Sequence, residues 1–491
     1  MAGTTQASEA TAQGNSRPQP RPRPTSRPTE APPGGTALLV ACAFVQTVRH
    51  FFPQLNDWLD DLPDTRDPDR IVYQTRFLAW WGLWRYLAQL GSRRQLDSHL
   101  DAWGTCVLDN LNRLAGTAHT TRPVHDTLDH YVGHVGAQGF ADLRTPLVRR
   151  LCRLRVLDPA RLLGYLVVPV DGTGLLCWHR RHCDHCLVQR HQKTTLSLHQ
   201  VLEAKLLGPA GVVLSIGSEF IDNDDAADRK GKSTQDTKQD CERKAFSRLA
   251  PRLQKDFPQA PFVLTGDRLF ACGRVLAIGK DNDWSYGRTC TEGHLPAVWQ
   301  EFPALLPLCP GNRLHRELSD GTRPEYRWVQ DRSYVDDQGR RWHVHALQCL
   351  ETSPPGGPTR YAWITPLPIS AKNVEAIAQK GGRSRWKIEN EGFNRQKNRG
   401  LNLEHVYRTD PEKGKAYYYL LQIAFIITQL LERGSLLRQR TAERGRGVRV
   451  VFGSLANSAP QLREAWKYCR WSEDCFDAQA AQRRRIGLDS S

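Results

Sequence analysis

Leu162-Leu163-Gly164-Tyr165-Leu166-Val167-Val168-Pro169-Val170-Asp171-Gly172-Thr173-Gly174 is a nearly continuous apolar run that ends on a carboxylate and a glycine-rich turn. A short run of this kind, without polar alternation, reads as a strand buried on both faces. It predicts an α/β protein and places Asp171 at the strand's end. An Asp in front of a glycine also suits plain turn chemistry. Asp171 therefore gains meaning only from the groups that share its surroundings.

Downstream the same pattern recurs. Pro261-Phe262-Val263-Leu264-Thr265-Gly266-Asp267 is a second short apolar strand closing on an Asp, with a helix expected from Leu269 to Ile278. Between the two, Thr194–Leu207 and Gly211–Ile221 read as strands around the turn Gly208-Pro209-Ala210-Gly211. An acidic, Lys-rich loop, 222 to 239, leads to Asp240-Cys241-Glu242-Arg243-Lys244-Ala245-Phe246, which opens a helix to about Phe257. Asp240 and Glu242 in its first turn suit the helix dipole. From 284 to 369 the texture is β-rich, with Tyr326–Gln330, Arg341–Leu347 and Tyr361–Ile364 alternating and Asp336-Asp337-Gln338-Gly339 as a hairpin turn.

Arg383-Ser384-Arg385-Trp386-Lys387-Ile388-Glu389-Asn390-Glu391-Gly392-Phe393-Asn394-Arg395-Gln396-Lys397 then reads as a helix of about four turns, with Gly381-Gly382 in front and Gly400 behind. Arg385, Glu389, Phe393 and Gln396 share one face, and Trp386, Asn390, Phe393 and Lys397 an overlapping one. Glu389 and Glu391 should point about 200° apart, so only one of them faces a common site. Ala416–Leu431 follows as a core helix.

Asp171, Asp267 and Glu389 form the candidate constellation. At roughly 4 Å and an effective dielectric near 20, each carboxylate pair costs about 4 kcal/mol. Such a cluster persists when divalent cations neutralise it, and hard oxygen donors suit Mg²⁺ or Mn²⁺. Two such ions would activate an attacking oxygen and stabilise a leaving one in phosphoryl transfer. The balance of 68 Lys and Arg against 52 Asp and Glu, formally +16 over 491 residues, favours a polyanion, and DNA is the natural one.

Upstream, Ala37–Phe52, Arg76–Leu90 and Arg94–Leu114 carry helical spacings, with Trp80, Trp81 and Trp84 as core residues. Residues 1 to 36, including Arg17-Pro18-Gln19-Pro20-Arg21-Pro22-Arg23-Pro24, bury too little apolar surface to fold and are expected to be a disordered tail. Thirteen cysteines in a long chain without a secretory signal argue against a disulfide framework and for the cytoplasm. Cys183 and Cys186 nevertheless have the C-x-x-C spacing of two thiolates on one zinc, with His179, His182, His185, His191 and His199 nearby. The second half of a standard zinc motif is missing, and loop cysteines in a basic hairpin are the plain alternative.

Val170-Asp171-Gly172-Thr173, Leu264-Thr265-Gly266-Asp267 and Arg385-Trp386-Lys387-Ile388-Glu389-Asn390 together resemble the three signatures of bacterial insertion-sequence DDE transposases, in the branch with a β-strand insertion before the Glu. His182-Cys183-Asp184-His185-Cys186 and Gln239-Asp240-Cys241-Glu242-Arg243 are similar to stretches of such enzymes. The resemblance covers about residues 160 to 435. It implies an RNase H-like mixed-sheet core at 156–283 and 370–440, interrupted by a β-rich insertion at 284–369. A helical DNA-end-binding region at 37–155 and a basic segment at 441–491 complete the expected layout.

The implied activity is binding of the element's terminal inverted repeats, metal-dependent strand cleavage, and strand transfer into target DNA by a homodimer. Asp171, Asp267 and Glu389 match the triad that holds two Mg²⁺ ions, with Arg385, Trp386 and Lys397 as DNA contacts. The Tyr and Lys that often flank the third acid are replaced by Gly382 and Gln396. The alternatives are a structure-specific nuclease on the same fold and a domesticated, non-catalytic DNA-binding protein.

Overall fold

The structure is a computed structural model, and it describes residues 35–101, 106–183, 185–191, 194–223, 240–289, 295–336, 338–354, 356–407, 410–442, 447, 451, 457–483 and 485–488. The expected N-terminal tail, most of the 222–239 loop and most of the Arg/Gly-rich stretch near 440–450 lie outside the described residues.

The chain begins with helices α1 (Gly35–Phe51), α2 (Leu55–Asp60), α3 (Thr75–Leu87), α4 (Arg93–Asp101), α5 (Cys106–Ala115) and α6 (His125–Arg153). The helical pattern expected over 94–114 is helical at Arg93–Asp101 and Cys106–Ala115, and residues 102–105 between them lie outside the described residues. Helix α6, the longest, escapes a simple reading because Gly136, at φ 72°, breaks its helical geometry and Pro146 lies inside it. In α3, Trp80, Trp81 and Trp84 are all buried, as expected.

The strands follow: β1 (Leu166–Trp178), β2 (Leu187–His191), β3 (Thr194–Leu207) and β4 (Val213–Ile221). After α7 (Glu242–Asp256) come β5 (Phe262–Gly266), α8 (Gly273–Asp281) and β6 (Ser285–Thr289). Helix α9 (Pro296–Leu305) precedes β7 (Arg313–His315), β8 (Arg323–Val335), β9 (Arg341–Thr352) and β10 (Pro358–Thr365). The C-terminal part holds α10 (Val374–Ala376), α11 (Asn394–Asn398), α12 (Pro411–Arg433), α13 (Ser435–Ala442), α14 (Ser458–Tyr468) and α15 (Ala478–Arg483).

One mixed, ten-stranded sheet organises these elements. Strands β1 and β3, and β3 and β4, are antiparallel, whereas β1, β5 and β6 run parallel. The parallel neighbours are joined through α7 and α8, because parallel strands need a crossover rather than a hairpin. Strand β10 pairs antiparallel with β6, so the meander β10-β9-β8-β7 extends the same sheet. The β8–β9 turn is where the alternation places it: the Asp336 carboxylate accepts from the backbone N–H of Gln338 and of Arg340, and Gly339 takes φ 74°.

Strand β1 does not stop at Asp171. It runs on through Gly172 and Thr173 because each residue to Gly174 has a partner on β3, with a bulge only between Gly174 and Leu176. The glycines that resemble a turn in sequence are strand residues.

The largest apolar core among the described residues includes residues of α1, α3, α6, the sheet, α7 and α12, and two smaller clusters gather around β8, β9 and β10. Helix α12, apolar on nearly every face, packs against α3, α6 and β4. Cys42 on α1 and Cys475 near the C-terminus are joined in a disulfide across 433 positions, a pairing that no local spacing announces. Among the described residues no helix is long and apolar enough to cross a membrane.

Candidate active site

Register brings the two aspartates together. Strands β1 and β5 pair in parallel from Leu166↔Phe262 to Pro169↔Thr265, an offset of 262 − 166 = 96 positions. Asp171 and Asp267 are also 267 − 171 = 96 apart. The pairing ends two residues short of them, and extending its register puts Asp171 and Asp267 level with one another at the ends of neighbouring strands, with Glu242 close to both. Asp267 leaves β5 directly after Gly266, and its Oδ1 accepts from the Leu269 N–H at 2.8 Å, which starts the turn into α8.

Glu389 arrives from a helical rod that differs from the expected one. Helical geometry starts at Val374, passes through Gly381 and Gly382, and ends at Asn398. The stretches Ile377–Gly382 and Ile388–Phe393 are wound as π-helix, with a 3₁₀ turn, Arg383–Arg385, between them. The glycines do not precede the helix. Gly382 lies against the Trp363 indole, where a Cβ would clash, and Gly381 abuts the backbone of β6 at Gly287. The widened turn also changes which residues share a face. Phe393 is buried while Trp386, expected in the same stripe, is 51% exposed.

The rod is anchored below Glu389. The Gln396 Nε2 donates to Gln422 Oε1 of α12 at 2.7 Å, and Arg395 forms a buried ion pair with Glu432. Lys205 of β3 lies over the Phe393 ring and also donates to Gln422 Oε1, at 3.2 Å. These contacts fix Glu389 relative to the sheet.

Arg385 joins two of the acids. Its Nη1 donates to Asp171 Oδ2 at 2.9 Å and to Glu389 Oε1 at 2.6 Å. It therefore points into the acidic cluster, where a single fixed cation holds two carboxylates together. Glu391 points elsewhere: its Oε2 lies 3.4 Å from Arg433 Nη2 of α12. Lys397 pairs with Glu404 at 2.7 Å.

A fourth acid, Glu242, suits the helix dipole in sequence and lies in one of the stretches similar to the transposases, but neither reading places it in the acidic site. It stands in the first turn of α7, and its carboxylate covers Gly172 so closely that a Cβ at 172 would overlap it. The sequence signal was present in Gly172, directly after Asp171, but the partner it makes room for is 70 positions on (242 − 172).

The electrostatics reflect this crowding. Burial pushes Asp171 up to about 7; Arg385 opposes the shift, and Glu389 and Glu242 add to it. Burial also raises Glu242, with Asp267 adding to it. Asp171 and Glu242, desolvated and raised by acidic neighbours, are carboxylates that a divalent cation would stabilise. All four donors are carboxylates, which fits Mg²⁺ or Mn²⁺.

A second cluster lies on the β1–β2 connection. The Cys183 and Cys186 sulfurs are 3.5 Å apart, and His199 Nε2 of β3 is 3.2 Å and 3.4 Å from them. Of the expected histidines, His199 joins the cysteines. His182 instead packs edge-on against Trp178, His185 Nδ1 meets the Asn223 carbonyl at 3.2 Å, and the side chain of His191 lies outside the described residues. Among the described residues these three are the group whose ligand atoms all fall within 4.8 Å of one another, and the carboxylates are spaced more widely.

No protein-family model matches the chain, and no curated protein matches it.

Proposed function

We propose that this chain is a DDE-type DNA transposase, with an RNase H-like catalytic core, that cuts and joins DNA by two-metal phosphoryl transfer. One observation carries the reading: Arg385 ties Glu389 to Asp171 at the end of the β1–β5 pairing, where Asp267 also leaves β5. The strand order β4-β3-β1-β5-β6, with the first pairings antiparallel and the last two parallel, supports the RNase H-like core. In this reading β7 to β10 are the insertion, which extends the core sheet beyond β6 and returns the chain to the rod carrying Glu389.

Asp171, Asp267 and Glu389 would hold the Mg²⁺ ions, which supply Lewis acidity to the attacking and leaving oxygens. Glu242 would add a further oxygen donor or hold a proton at the edge of the cluster. Arg385 keeps the carboxylates together when no cation does so. Trp386, exposed on the rod close to Glu389, offers an aromatic face on which a base can stack. The formal charge of +16 favours the DNA polyanion. Assembly as a homodimer on paired DNA ends belongs to the same proposal.

A joining assay tests this reading and separates it from a nuclease or a simple binder. The full chain is incubated with Mg²⁺, a labelled duplex taken from the DNA flanking its coding sequence and ending in a 3′-hydroxyl, and a supercoiled plasmid. Label covalently joined to the plasmid is expected. Nicking without joining would make the chain a nuclease, and retention of label without nicking would make it a binding protein.

A further inference from the structure

The geometry points to a zinc centre formed by Cys183 Sγ, Cys186 Sγ and His199 Nε2, with Asp222 orienting the histidine, distinct from the carboxylate cluster. In a tetrahedral zinc site with Zn–S near 2.3 Å and Zn–N near 2.0–2.1 Å, two sulfurs lie about 3.8 Å apart and sulfur and nitrogen about 3.6 Å apart. The observed separations of 3.5, 3.2 and 3.4 Å fall a few tenths of an ångström short of those edges, so binding needs only a small outward adjustment. Two thiolates and an imidazole are the donor set that selects zinc over Mg²⁺.

The surroundings are built for the same purpose. His199 Nδ1, the ring nitrogen away from the sulfurs, faces Asp222 Oδ1 at 3.5 Å, the carboxylate–histidine arrangement that leaves Nε2 free to ligate. Lys415 of α12 holds the other Asp222 oxygen, Oδ2, at 3.2 Å. The cysteine loop is tied down independently. The Asn223 Nδ2 donates to the Cys186 carbonyl at 2.7 Å, and the Asn223 backbone N–H donates to the His185 carbonyl at 3.0 Å. Cys186 is fully buried.

Zinc here would staple the β1–β2 connection to β3 and to the end of β4. Binding releases the two thiol protons to solvent as Zn²⁺ takes both thiolates. The three protein donors leave the fourth position to a water or another donor. Cys183 and His199 also line a cleft with Trp178, His182, Phe220 and Tyr418, which gives that position room.

The test uses the full chain, expressed with zinc in the medium and purified without chelator. Metal analysis should find about one zinc per chain, and the Cys183→Ser/Cys186→Ser double variant should lose it. Cobalt substitution should give the intense visible bands and thiolate charge transfer of a tetrahedral sulfur-ligated ion. Asp222→Asn, which spares all three donors, should release zinc to a chelator at roughly 10–100-fold lower chelator concentration. Asp171→Asn and Glu389→Gln should keep their zinc, so this result stands or falls separately from the DNA chemistry. Less than about 0.2 zinc per chain with no cobalt spectrum would overturn the proposal. So would zinc retained by the double variant, or a metal-free chain whose two cysteines resist alkylation as a disulfide.

Discussion

Asp171 carries the sharpest consequence at the scale of single residues. Its proton affinity is raised in the folded chain to about 7, chiefly by burial, so folding takes up a proton between about pH 4 and pH 7. The sign follows directly. The native state binds more protons than the unfolded one in that window, so this group favours folding at low pH and the contribution is lost as pH rises toward 7. In metal-free buffer the melting temperature of Asp171→Asn should therefore gain on wild type as pH goes from 4 to 7. Mg²⁺ added at pH 7 should raise wild type and leave the variant nearly unmoved. Thermal melts across that range check this, and parallel curves for the two proteins would contradict it.

The three acids proposed from sequence were legible there because each ends or follows an apolar run or sits among basic and aromatic residues. Glu242 was not, since its role depends on contact with Gly172 across the sheet. His199 was only one of several nearby histidines, and only pairing of β3 with β1 and β2 singles it out. A contact made through tertiary pairing leaves no local spacing to read.

At the scale of elements, the rod from Val374 to Asn398 decides whether Glu389 reaches the sheet. Its anchor is the Arg395–Glu432 pair, with side chains only 8% and 6% exposed. Removing one member strands a buried charge, so Glu432→Ala should cost about 3–5 kcal/mol of stability, measured by urea denaturation. A cost under about 1 kcal/mol would mean that water reaches Arg395 and that the pair does not fix the rod.

The sequence indicated a helix here but not its π-helical turns, because those depend on Gly381 and Gly382 packing against β6 and Trp363. The continuation of β1 beyond Asp171 was hidden for a related reason. Gly172 and Gly174 carry turn propensity, and pairing with β3 overrides it. Helices α1 and α3, strands β3 and β4 and helix α12 were legible within a few residues, since their apolar patterns are long and regular.

At the scale of the whole molecule, a continuous core links the N-terminal helices, the sheet and α12, and one sheet carries both the parallel strands and the meander beyond them. The order of strands and helices could be read along the chain, but the edge on which the meander adds could not. It is set by β10 pairing with β6, residues more than 70 positions apart (363 − 289 = 74). The consequence is that Asp171, Asp267 and Glu389, from widely separated parts of the chain, are held by one packed body.

The central claim of the proposal is that these three carboxylates, and not Glu391, make DNA cleavage depend on a divalent cation. The most direct measurement is Mg²⁺-dependent nicking of a duplex from the flanking DNA by wild type, Asp171→Asn, Asp267→Asn, Glu389→Gln and Glu391→Gln, compared at equal DNA occupancy. Each of the first three substitutions keeps shape while removing a charge that holds a cation, so nicking should fall by about 100-fold or more in each. Glu391, turned toward Arg433, should cost less than about 10-fold. Near-wild-type nicking by Glu389→Gln, or equal activity in all five proteins, would contradict the account.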